Sequence, residues 1–131
     1  MFDFSIIVKF TIPFLLGGLI FFSLLIAPTV FISLDEKSAR KFLRNLFPKI
    51  YLFAGMISFF ISVFLFLINS FLSFVFIIVT LGYVFSRQFL MPKINEASDK
   101  KNVSDFKKLH RFSVVIFMIQ IIIMILVYTQ I

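Results

Sequence analysis

The chain has 131 residues, 61% of them apolar and only 15% charged, and its mean hydropathy is +1.11. A water-soluble domain is about 45–50% apolar and about 25% charged, so this balance argues against a soluble enzyme or a nucleic-acid-binding domain. A helix crossing a ~30 Å hydrocarbon core takes about 20 apolar residues, and the apolar content here suffices for four.

The net charge of +7 is confined largely to two short segments between apolar blocks, which assigns it to membrane topology and not to nucleic acid. The chain has no cysteine, so a disulfide, a thiolate metal site and a thiol nucleophile are all excluded.

The first apolar block predicts a span over about 4–32, interrupted by Lys9, Thr11, Pro13, Gly17, Gly18, Ser23, Pro28 and Thr29. Asp3 precedes it and the block is about twice the 7–15 residues of a signal-peptide core, so the expectation is a retained helix. Over 33–47, Ala39, Phe42, Leu43, Leu46 and Phe47 fall on one helical face. Lys37, Arg40, Lys41 and Arg44 form the opposite stripe. This spacing predicts a short amphipathic helix lying on the anionic inner leaflet, capped by Ser33 or Asp35 and ending where Pro48 opens the next span.

Spans two and three are expected over 48–68 and 71–90, joined as a tight hairpin at Asn69-Ser70. A basic loop over 91–111 leads to the fourth span, 112–128. Lys37, Arg40, Lys41, Arg44 and Lys49 lie in or beside the first loop, and Arg87, Lys93, Lys100, Lys101, Lys107, Lys108 and Arg111 in or beside the third. The Asn69-Ser70 turn has no basic residue. Positive charge stays on the cytoplasmic side, so both loops are expected inside and both termini outside, in a bacterial inner membrane. The fold expected is a single all-α integral membrane domain over 1–131: a four-helix bundle with a short amphipathic interfacial helix between spans one and two.

Each span gathers its polar or small residues on one face. In the fourth, His110, Ser113, Phe117, Gln120 and Met124 follow 3-4-3-4 spacing; in the third, Ser73, Thr80 and Arg87 are seven apart, with Tyr83 between the last two. The second has Ala54, Ser58 and Ser62 at four-residue intervals beside Gly55, and the first has Gly17-Gly18. Small-xxx-small spacing lets helix backbones approach closely, and lipid tails cannot hydrogen-bond, so these faces are expected to form the bundle interior. That interior is either ordinary interhelical hydrogen bonding or a polar pocket with His110 at its cytoplasmic mouth and Gln120 near mid-membrane.

His110 is the sole histidine. Haem or a transition metal asks for more than one good donor, which a homodimer can supply by bringing two copies of His110 together. No carboxylate lies within a predicted span, so a proton relay or a Ser-His-Asp arrangement lacks its acid. No phosphate-binding loop, dinucleotide fingerprint or zinc-protease motif occurs. The expectation is a non-enzymatic membrane protein without a cofactor or resident metal, acting through oligomerisation, partner binding or handling of a small solute, in contact with anionic inner-leaflet lipid. The alternative is a haem- or copper-handling protein that uses His110 at a dimer interface.

The pieces Gly17-Gly18 with Phe22, Ala27-Pro28 with Phe31, Ala39, Phe47-Pro48-x-x-Tyr51, Leu90-Met91-Pro92-x-Ile94-Asn95 and Leu109-His110-x-x-Ser113 occur in an order and spacing that resemble domain-of-unknown-function family 4149, the transmembrane protein 205-like small membrane proteins. The resemblance implies a four-helix integral membrane protein and supplies no established reaction. Two positions depart from the pattern: Arg40 stands where a glycine is expected, and Phe117 where an asparagine is expected, leaving Gln120 as the polar group one turn deeper.

Overall fold

The computed structural model describes residues 3–131. Four long helices account for nearly all of them: α1 Ser5–Ser33, α2 Glu36–Phe66, α3 Ser70–Asp99 and α4 Val103–Thr129, each long and apolar enough to cross a membrane. At 1.5 Å per residue they run about 40–47 Å, which exceeds a ~30 Å hydrocarbon core. Turns join consecutive helices as hairpins. Within the described residues the backbone of α1 approaches α2 and α4 and that of α3 approaches α2 and α4, while the pairs α1–α3 and α2–α4 stand diagonally apart.

Side chains and backbone geometry fix the helix ends. Asp35, in extended conformation, accepts the Ser38 N–H at 3.3 Å to start α2. Asn69 accepts the N–H groups of Phe71 and Leu72 at 3.0 and 3.3 Å to start α3, and Asn102 accepts that of Asp105 at 3.2 Å to start α4. These are the short polar side chains that best satisfy the orphan donors of a first turn. Helix α3 ends in a Schellman turn. Lys101 takes φ 55°, its N–H reaches Ser98 O at 3.1 Å, and the Asn102 N–H reaches Ala97 O at 3.0 Å.

Two wide π-turns, Phe22–Ile26 in α1 and Ser86–Leu90 in α3, lie just before Pro28 and Pro92. A proline lacks the N–H that its i−4 carbonyl needs and crowds that carbonyl. Those carbonyls, of Leu24 and Gln88, fall inside the π-turns, where the wider winding gives the ring room and lets the helix continue.

The core is built from Val8, Ile12, Leu15 and Leu19 of α1, Ala54, Ile61 and Leu65 of α2, Phe76, Val79 and Tyr83 of α3, and Ile121, Met124 and Val127 of α4. Most phenylalanines point outward, with Phe10 75% and Phe71 69% exposed, as suits an outer surface solvated by lipid.

The structure corrects two sequence expectations. The amphipathic segment over 33–47 is not a separate interfacial helix: α2 continues unbroken from Glu36 through Pro48 to Phe66. Much of its apolar face is covered by protein, because Ala39 and Leu43 form a buried cluster with Phe22 and Val30 of α1, with Leu46 and Phe47 packed against it, while Phe42 stays exposed. That packing offsets the one hydrogen bond removed at Pro48. The segment over 91–111, expected as a loop, is helical on both sides of Lys100–Asn102, held by buried Met91, Ile94 and Ala97.

Candidate functional site: a polar seam and a basic basin

A ladder of hydrogen bonds ties α2 to α3 along most of their length. Nearest the Asn69 turn, Ser73 Oγ donates to Ser62 O at 2.7 Å. Further along, Ser58 Oγ and Thr80 Oγ1 share a bond of 2.8 Å. The Ser86 side chain is then the polar neighbour of the Tyr51 hydroxyl, and Arg87 Nε donates to Pro48 O at 3.0 Å. At the far end Arg44 holds Asp99 in a forked pair at 2.8 and 3.3 Å. The partners move in opposite directions along the chain, as antiparallel helices require. Several hydroxyls also bond within their own helices, Ser62 to Phe59 O at 2.6 Å and Thr80 to Phe76 O at 3.0 Å, so these hydroxyls have acceptors where lipid offers none.

Helix α4 joins the ladder at one point. Gln120 Nε2 donates to Val79 O at 2.8 Å, and Gly82 leaves the space its amide occupies, since a Cβ on Gly82 would collide with Gln120 Nε2. Gln120 Oε1 and the Tyr83 hydroxyl are buried without a hydrogen-bond partner among the described residues. Tyr83 packs beside Gly55, and its ring lies 6.4 Å from that of Tyr51. The polar groups of this buried stretch are hydroxyls and an amide, which can hydrogen-bond a neutral group but carry no charge and exchange no proton at neutral pH.

The predicted polar residues divide accordingly. Ser58, Ser62, Ser73 and Thr80 meet at the α2–α3 interface, and Arg87 meets the Pro48 carbonyl. Of the α4 stripe, Ser113, Gln120 and Met124 are buried and Phe117 is half-buried. Ser113 Oγ turns back to His110 O at 2.7 Å. His110 itself is exposed and stacks on Phe106, with ring centroids 5.9 Å apart and planes 2° from parallel, so it stands apart from the buried stripe. Within the described residues no three of His, Cys, Asp or Glu are grouped to hold a metal.

Family-pattern residues also separate. Phe47 packs edge-on against Phe22 at 5.4 Å, Tyr51 is buried and Leu109 is half-buried, while Pro28, Phe31 and Pro92 are exposed. A Cβ on Gly17 would meet nothing within 4 Å, and one on Gly18 only Phe53 at 3.9 Å, so this glycine pair does not mediate the expected close helix approach within the chain. Sequence reasoning named no role for Gly82 or Ser86. The available signal was their place on the inward stripe of α3 with Val79, Tyr83 and Leu90.

The second feature lies beyond the seam, where the α1–α2 and α3–α4 turns meet. A basin of about 1260 Å³ opens there, lined by Lys37, Arg40, Lys41, Arg44, Lys101 and Lys107 together with Phe106 and the carboxylates of Asp35, Glu36 and Asp99. Arg40 pairs with Glu36 at 2.7 Å and Arg44 with Asp99 at 2.8 Å. Ser38 holds the Asp35 carboxyl below its ordinary range by hydrogen bonding to it with both its side chain and its N–H. Lys37, Lys41, Lys101 and Lys107 have no ion pair among the described residues. The predicted basic stripe is thus split: its arginines staple the protein to itself and its lysines remain open.

A family model described as a domain of unknown function (DUF4149) matches residues 10–103. This range takes in α1 from Phe10, all of α2 and α3, and the first residue of α4. Among curated proteins and among solved structures, nothing matches the chain.

Proposed function

The chain belongs to the DUF4149 family, and on that footing we propose that it is a non-enzymatic integral protein of a bacterial inner membrane, both termini outside, whose basin holds an acidic segment of a cytoplasmic partner. The observation that carries this reading is the set of unpaired lysines, Lys37, Lys41, Lys101 and Lys107, around one open cavity of about 1260 Å³. Small-molecule pockets are usually closed and about 300–1,000 Å³; a wide, charged basin suits an extended peptide better. The N-termini of α2 and α4 open at the same end and add positive potential. Such a field raises association rates and selects against basic partners. The α2–α3 seam supports a structural role for the interior, since the hydroxyls of Ser58, Ser62, Ser73 and Thr80 are already engaged with helix carbonyls or with one another.

The test is fluorescence anisotropy of a labelled oligoglutamate peptide with the purified protein in neutral detergent. Saturable binding that weakens with salt is expected, and it should be lost when Lys37, Lys41, Lys101 and Lys107 are all changed to Gln. Binding unchanged in that variant, or displaced equally well by phosphatidylglycerol micelles and by unlabelled peptide, would overturn the peptide assignment.

A further inference from the structure

On the outer side of the α2–α3 seam a groove of about 330 Å³ runs between the helices, walled by Leu52, Met56, Phe59 and Val84, floored by Gly55, and closed at one end by Arg87 and Gln88. We propose that this groove is a specific phospholipid site: one acyl chain lies over Gly55, and the phosphate of an anionic headgroup pairs with Arg87. The inference rests on the membrane-spanning reading of the helices and on nothing in the basin.

Three observations carry it. The Arg87 guanidinium is positioned from two sides, Nε by Pro48 O and Nη1 by Gln88 Oε1, each at 3.0 Å. Among the described residues Nη2 has no partner and no carboxylate pairs with Arg87. A held guanidinium with open donors presents the planar fork suited to phosphate.

The depth is also right. Arg87 lies 17 residues after Ser70, about 25 Å along α3 at 1.5 Å per residue. With the Asn69 turn at one boundary, that places the guanidinium close to the other boundary of a ~30 Å core, where inner-leaflet phosphates sit. From Arg87 the groove leads back toward the middle of the membrane, because Met56 and Phe59 are progressively nearer the Asn69 turn along α2.

One lining residue of the groove carries no side chain. Gly55 is half-buried and contributes no side chain between Leu52, Met56 and Phe59, and a Cβ there would meet Tyr83 Cβ at an ordinary 3.8 Å. A branched side chain at this position would occupy the path of the acyl chain.

Native mass spectrometry of protein released from detergent micelles containing equal amounts of phosphatidylglycerol and phosphatidylcholine with identical acyl chains gives the readout. The wild-type protein should retain one phosphatidylglycerol in preference. Arg87→Gln should weaken that retention about tenfold, equivalent to about 1.4 kcal/mol, Arg87→Lys should restore part of it, and Gly55→Leu should lower retention of both lipids. Lys41→Gln, a basin residue, should leave retention unchanged. No preference in the wild-type protein, equal retention by Arg87→Gln, or an equal loss in Lys41→Gln would each overturn the proposal. The wild-type comparison decides the matter even if a variant fails to fold.

Discussion

Gln120 of α4 donates from Nε2 to the main-chain carbonyl of Val79 of α3 across 2.8 Å, in the space left by the missing side chain of Gly82. This joins a helix that otherwise contributes apolar contacts to the hydrogen-bonded α2–α3 pair. In a bilayer such bonds average about 0.6 kcal/mol and reach about 1.7, because the unfolded chain in lipid also finds partners.

Gln120→Leu is therefore expected to destabilise the protein by about 0.5–1.5 kcal/mol, while Ile122→Leu, on an exposed face, should change it little. Gly82→Ala forces the same amide out of place. Combining it with Gln120→Leu should cost less than the sum of the two single changes, since neighbours sharing one interaction are non-additive. Reversible unfolding in mixed micelles measures all four variants. Strict additivity would show that Gly82 and Gln120 act independently.

The hairpin between α2 and α3 depends on Asn69, whose side chain accepts two first-turn N–H groups. Asn69→Ala should lower stability by about 0.5–2 kcal/mol, and Asn69→Asp should keep most of it. Hydrogen exchange at Phe71 and Leu72 should accelerate in the alanine variant; unchanged protection would rule out the side chain as the cap.

The proposed topology rests on the basic residues at the α1–α2 and α3–α4 turns. Ser104→Cys, exposed near the basin, should resist a membrane-impermeant thiol reagent in intact cells and react after permeabilisation. Thr129→Cys, at the opposite end, should react in intact cells. The reverse pattern would place the basin outside and remove the cytoplasmic partner proposed for it.

Asp35 gives a pH dependence whose sign can be worked out. Its carboxyl is held below its ordinary value of 3.8 by hydrogen bonds from Ser38. A depressed value in the folded state means that the contribution of this cap to α2 is complete above the ordinary carboxylate range and is lost as pH falls through the folded value. In an NMR titration in micelles, the Asp35 midpoint should fall below 3.8, and Ser38→Ala should raise it. A midpoint insensitive to Ser38→Ala would refute the cause.

The sequence by itself determined four apolar helices, the Asn69 turn, the separation of basic and apolar segments, and the inward direction of Ser113, Gln120 and Met124. Each is a local property: length against hydropathy, a capping side chain, or a 3.6-residue period about one helix axis. Only the tertiary structure decided which inward faces meet. Periodicity orients Ser58 and Thr80 on their own helices but does not say that they bond to each other, nor that Arg44 turns to Asp99 while Lys41 stays open. It also left α2 whole, because Ala39 and Leu43 found Phe22 and Val30 of α1, and a hydrophobic stripe reads the same whether lipid or another helix covers it. For the same reason Gly17-Gly18, alike in composition to a packing motif, ended on the outer surface: lipid tails are as apolar as a protein interior, so in a membrane the hydrophobic pattern finds the helices, and side-chain shape and hydrogen-bond partners arrange them.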